Sequence, residues 1–291
     1  MMRFLAPGIV LAFHLLPSSG CVVEDTLAMH RQDVASENKL SLNKLSLNKL
    51  SLNKLSLGSL SADRFVLDAD GVGELATTED GRELLAYVAR CALPEGEELV
   101  LLGNDGKTLL YSFPGSIGLA PQWATSLPSG SMLRWVSACL LAHVNYYGVS
   151  VPISLRGQHP ALATTLVEQQ EYSTQEGAFY GNVFADRDSD GSADLVMYAC
   201  HGKAASESSD YLLERVCSEP SGLDDGRTVC GFVDMGACHT MDVASQPCSR
   251  HSVDGEVFYP CTTSTTDTQC NKRKGSAESF DEVITVYVPN A

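Results

Sequence analysis

The chain has 291 residues, 44% of them hydrophobic, ten cysteines and a formal charge of −16. Arg3 and a net +1 over residues 22–57 leave −18 on residues 58–291. A surface this acidic argues against nucleic acid and anionic lipid headgroups as partners and attracts cationic groups and divalent cations. It also serves simply to keep an exported protein soluble. The length supplies core for one large domain or two small ones.

Residues 1–21 read as an export signal. Met1-Met2-Arg3 precedes an apolar run from Phe4 to Leu16, too short to span a bilayer, and small residues Ser18, Ser19 and Gly20 follow. Ser18-Ser19-Gly20-Cys21 resembles the lipobox of bacterial lipoproteins, in which cleavage exposes a cysteine acylated through its sulfur. Ser18 stands where that motif usually carries Leu. The resemblance implies a signal peptide over 1–20, lipid attachment at Cys21, and a membrane partner through that anchor. Val22, rather than Asp, after the cysteine implies the outer membrane or cell surface. Ordinary cleavage at the same place, giving a periplasmic or secreted soluble protein, is the alternative.

Residues 21–62 form a linker containing Asn-Lys-Leu-Ser-Leu repeated at 38–42, 43–47, 48–52 and 53–57. A period of five matches neither the helix nor the strand, so its leucines collect on no single face. A spacer that holds a domain away from a membrane is the expected role.

The globular region is expected over 63–291, with a candidate sub-boundary near 157–175. Thr77 or Thr78 caps a predicted helix bearing Leu84, Leu85, Val88 and Cys91 at helical spacing, and Pro94-Glu95-Gly96 ends it. Leu99–Leu102 and Leu109–Phe113 flank Gly103-Asn104-Asp105-Gly106 and read as a hairpin. Ser131 to Tyr146 is a second helix, apolar almost all round and so destined for a core. Val149, Val151, Ile153 and Leu155 alternate as a strand, with Pro152 favouring a sheet edge. Beyond Gly157 the chain turns Gly-, Ser- and Thr-rich, its clearest strands being Leu195–Tyr198 and Val283–Val288. The fold class is α+β, helices mainly in the first half, short antiparallel strands and disulfide-stapled loops in the second.

One constellation carries chemistry. Asp186, Asp188, Asp190 and Asp194 occupy loop positions 1, 3, 5 and 9, Gly191 permits the sharp turn at position 6, and Ser192 offers a backbone carbonyl. Calcium takes six to eight oxygens, and alternating carboxylates on a tight loop supply them. Met197 replaces the bidentate Glu of an EF-hand, and the segment more closely resembles the loops of integrin-type FG-GAP and thrombospondin type 3 repeats. A structural calcium ion is the expected cofactor, bound with a Kd of roughly 10⁻⁴–10⁻³ M. The plain alternative is a hydrated acidic turn.

Export puts the cysteines where disulfides persist. Cys91 and Cys139 are alone in the first half, each on a predicted helix, and are the first expected pair; the bridge is worth on the order of 3–4 kcal/mol. Cys200, Cys217, Cys230, Cys238, Cys248, Cys261 and Cys270 show no Cys-x-x-Cys spacing and read as disulfide partners rather than zinc ligands. Acylation of Cys21 leaves nine cysteines and hence one odd thiol; a free Cys21 allows five bridges. Gly115-Ser116-Ile117-Gly118 lacks the Gly-x-Ser-x-Gly pattern and reads as a turn.

Gly81-Arg82-Glu83-Leu84-Leu85-Ala86-Tyr87, Cys91-Ala92-Leu93-Pro94, the run Phe113 to Pro121 and Trp135-Val136-Ser137-Ala138-Cys139-Leu140, together with the repeat and the lipobox, resemble uncharacterised predicted lipoproteins of myxobacteria. That resemblance implies an address and transfers no catalytic residue. The resulting expectation is an exported, lipid-anchored binding or structural module whose partner is a protein, an envelope component or a glycan. A secreted, calcium-stabilised hydrolase is the alternative, and whether the protein is an enzyme stays open.

Overall fold

The computed structural model describes residues 40–42, 66–68, 74–144, 152–185, 196–202, 232–239, 246–252, 256–263 and 278–289. In chain order these form β1 (Leu40–Leu42), β2 (Val66–Asp68), α1 (Glu74–Thr77), α2 (Glu79–Ala92), β3 (Glu98–Leu102), β4 (Leu109–Pro114), α3 (Gly130–His143), β5 (Pro152–Arg156) and α4 (Leu166–Glu171). There follow β6 (Thr174–Asn182), β7 (Val196–His201), β8 (Val233–Ala237), β9 (Cys248–Ser252), β10 (Glu256–Thr262), β11 (Ser279–Phe280) and β12 (Val283–Val288). Helices gather early and strands late, the α+β arrangement expected. Ser36–Ala291 is one compact unit by its internal contacts.

Local chemistry explains both long helices. The Thr78 hydroxyl accepts from the Gly81 N–H at 3.0 Å and caps α2, and the Ser129 hydroxyl accepts from the Met132 N–H at 3.2 Å and caps α3. α2 buries Leu84, Leu85, Val88 and Cys91, the positions its spacing singled out. Its last carbonyls are satisfied in an unusual way. The N–H groups of Ile117, Leu119, Ala120 and Ser116 donate to the carbonyls of Arg90, Cys91, Ala92 and Leu93, so the segment after β4 wraps the helix end. Gly115 permits that approach, since a Cβ there would lie 2.5 Å from the Pro94 carbonyl oxygen. Gly118 turns the chain at φ +81°.

Six strands form the main sheet in the order β1-β5-β12-β6-β7-β8. The central strand β12, Val-Ile-Thr-Val-Tyr-Val, is buried along its whole length because both of its faces are covered. Ile284, Val286 and Val288 join Ile153, Leu155, Phe179 and Met197 in the core shared with α3 and α2. On the opposite face Val283, Ala178, Tyr180, Tyr198 and Cys200 pack with Phe258, Cys261 and Phe280 of a second sheet, ordered β11-β10-β9. The result is a helix layer, a buried sheet and a small covering sheet. A third sheet, β2-β3-β4, carries the expected hairpin and packs through β4 on α2.

Several elements depart from the sequence reading. α3 ends at His143, with Val144 as its extended C-cap. Pro152 is the first residue of a strand that β1 flanks, opposite Leu42, so β5 is not outermost; a proline at a strand's first position forgoes only a ladder bond it would barely make. β7 and β8 pair in parallel, whereas antiparallel strands are expected throughout this half. β6 is nine residues long and interior to the sheet, in a half expected to be rich in loops with only short strands. Its glycines mislead: a Cβ on Gly177 would stand 2.4 Å from the Cys200 carbonyl oxygen, and one on Gly181 would stand 2.1 Å from that of Val196. They mark close backbone approach within a sheet.

Candidate functional site

Of the residues that carry the sequence-level site, Asp186, Asp188, Asp190, Ser192 and Asp194 lie outside the described residues, as do Cys21, Cys217, Cys230 and Cys270. The flanks of the Asp-rich segment are described. Asn182, the last residue of β6, is paired with Val196, the first of β7, so the two ends are held side by side by neighbouring antiparallel strands.

The remaining cysteines form three disulfides. Cys91 and Cys139, the two helix-borne cysteines, are bonded and tie α2 to α3 across 48 residues. Cys200–Cys238 and Cys248–Cys261 are the other two. Each has its own sheet: Cys200 is the penultimate residue of β7, beside the extension of β8, where the Cys238 N–H donates to the His201 carbonyl, and Cys248 faces Cys261 across β9 and β10. The two bridges touch. Sγ of Cys200 lies 3.5 Å from Sγ of Cys248, with all four sulfurs buried.

Ligand atoms of Cys200, Cys238 and Cys248 fall within 4.8 Å of one another, as do those of Cys91, Cys139 and His143. Neither group offers a metal its usual donors while oxidised, because the ligand form of cysteine is the thiolate and these sulfurs are bonded to each other. The Nδ1 of His143 sits 2.7 Å from the Cys139 carbonyl oxygen, which only accepts, so Nδ1 donates there and is not itself a ligand atom.

A buried polar network not foreseen in the sequence lies on the face of the main sheet that the second sheet covers. Arg156 of β5 donates through Nε to the Ser154 hydroxyl at 3.2 Å and through Nη2 to the Tyr172 carbonyl, and its guanidinium stacks 3.7 Å from the centre of the Tyr287 ring. Ser154 in turn donates to Glu168 Oε1 at 2.8 Å. Tyr287, directly opposite Ser154 on β12, accepts from Gln175 at 2.8 Å and donates to the Glu256 carbonyl. Burial lowers the pKa of Arg156 and raises that of Tyr287. Ser154, Arg156 and Glu168 are at most 2% exposed, so the hydroxyl that bridges the two charged side chains serves to lock α4 and β5 together rather than to meet a substrate. A signal for this network exists in the sequence. Thr165-x-x-Glu168 is a capping-box pattern, and the Thr165 hydroxyl does accept from the Glu168 N–H at 3.2 Å, while the carboxylate reaches to Ser154.

No protein-family model, curated protein or solved structure matches this chain. Its reading therefore rests on its own residues. Among the described residues, no helix is long and apolar enough to cross a membrane. Buried disulfides in all parts of the core belong to an oxidising, extracytoplasmic environment.

Proposed function

We propose that this chain is an exported, lipid-anchored surface protein that presents an acidic, disulfide-stapled α+β domain as a binding or structural module. The observation that carries the reading is the set of three buried disulfides, which suits export and stiffens a domain built for exposure to the envelope. The N-terminal pattern ending at Cys21 supplies the anchor and residues 21–62 the spacer, of which, among the described residues, Leu40–Leu42 pairs with β5. The partner is a protein, envelope component or glycan with a cationic or neutral contact surface, given a net charge of −16 on the chain.

A calcium ion held by Asp186, Asp188, Asp190, Ser192 and Asp194 completes the module. Support comes from loop spacing and from the pairing of Asn182 with Val196, which keeps the segment's ends together. Four carboxylates on so short a segment repel one another without a cation.

Fractionation of cells expressing the full chain tests the anchor. Membrane association that is lost in Cys21→Ala supports it; equal distribution of both forms in the soluble fraction rejects it. Calorimetry on the purified domain tests the ion, with calcium heat expected and its loss expected in the Asp188→Asn/Asp190→Asn variant; no heat from the unaltered domain removes calcium from the proposal.

A further inference from the structure

The covering sheet and the main sheet meet at sulfur. In the oxidised protein neither disulfide there crosses between them: Cys200–Cys238 joins β7 to the end of β8, and Cys248–Cys261 joins β9 to β10. Between the two bridges there is a non-bonded contact of 3.5 Å from Cys200 Sγ to Cys248 Sγ. Backbone geometry holds that contact, since the Cys248 N–H donates to the Cys238 carbonyl at 3.2 Å and the Cys238 N–H to the His201 carbonyl at 2.8 Å. A thiolate on either sulfur stands beside a disulfide it can attack.

We propose that Cys200, Cys238, Cys248 and Cys261 form one exchange-coupled redox unit, in which reducing either disulfide opens a route to a Cys200–Cys248 cross-link between the two sheets. The co-reactant is an external dithiol. It delivers two electrons and two protons to Cys248–Cys261 and is itself oxidised to a disulfide. Cys248, as thiolate, then attacks Cys200: the Cys248–Cys200 bond forms, the Cys200–Cys238 bond breaks, and Cys238 leaves as a thiolate that takes up the proton released by Cys248. The exchange step leaves the protein's redox level unchanged. Reduction starting at Cys200–Cys238 reaches the same cross-link by attack of Cys200 on Cys248, with Cys261 leaving.

Topology makes the route accessible. Among the described residues β8 and β9 are the outermost strands of their sheets, so a local opening that frays two edges admits a small dithiol without unfolding the core. The product differs mechanically from the starting state. Two links within sheets become one link between sheets, with Cys238 and Cys261 released as thiols.

Limited reduction of the full chain with a substoichiometric dithiol at mildly alkaline pH, followed by acid quenching, alkylation and fragment mapping, tests the proposal. Cleavage before Asp210, Asp224, Asp234, Asp242, Asp254 and Asp267 places each cysteine of the second half on its own fragment. The expected result is a fragment pair joined through Cys200 and Cys248, accumulating with alkylation of Cys238 and Cys261. Survival of only Cys200–Cys238 or Cys248–Cys261, with alkylation confined to the other pair, overturns it. The Cys238→Ser/Cys261→Ser variant gives a second reading: air oxidation is expected to join Cys200 to Cys248, and persistence of both as free thiols in the folded variant contradicts the proposal.

Discussion

Glu282 shows how one residue's environment sets a pH response. Arg134 of α3 grips its carboxylate with two hydrogen bonds, at 2.8 and 3.1 Å, just before β12 begins. Burial pushes the Glu282 pKa up, but the bonds from Arg134 and Ser131 outweigh it and hold the carboxyl below its ordinary 4.5. A carboxyl with a depressed folded-state pKa stabilises the fold above that ordinary value, and the contribution is lost as pH falls through the lower, folded one. Glu282→Gln should therefore lower stability near neutral pH by about 1.5–3 kcal/mol and flatten the acid limb of a stability–pH profile from chemical denaturation. Gly115 makes a steric case. Gly115→Ala puts a methyl group 2.5 Å from both the Leu93 Cβ and the Pro94 carbonyl oxygen, so urea unfolding should show a loss of about 1–3 kcal/mol.

Among the elements, those with local signals were legible beforehand. The cap at Thr78, hairpin residues around Asp105 and the β-branched run of β12 each announce themselves within a few residues. Gly115 to Gly118 read as a turn, but the task of the segment, supplying N–H groups to the end of α2, depends on contacts across some 25 residues that no local pattern encodes. β6 was illegible for a related reason: glycines chosen for close backbone approach look like loop residues until their neighbours are known. The polar network of Arg156, Ser154 and Glu168 likewise joins β5 to α4, and only the capping-box pattern at Thr165 hints at one member. The Cys91–Cys139 bridge is the testable link between the two helices. Replacing both cysteines with serine should cost about 3–4 kcal/mol, read as a lower denaturation midpoint, and an unchanged midpoint would show that packing of α2 on α3 suffices alone.

At the scale of the whole molecule, two apolar faces of one sheet are covered, by helices on one side and by a stapled three-stranded sheet on the other. Buried disulfides suit such a body to an oxidising, extracytoplasmic environment, and the proposed anchor at Cys21 would hold it at a membrane there. Anchor and disulfides also constrain each other, because ten cysteines pair completely only if Cys21 is free. Intact mass with thiol counting on mature protein extracted from membranes reads both at once. The expected species begins at Cys21, carries acyl mass on that residue and retains one odd thiol among the other nine cysteines. A chain that begins at an unacylated Cys21 held in a fifth disulfide, or one that keeps residues 1–20, would contradict the account.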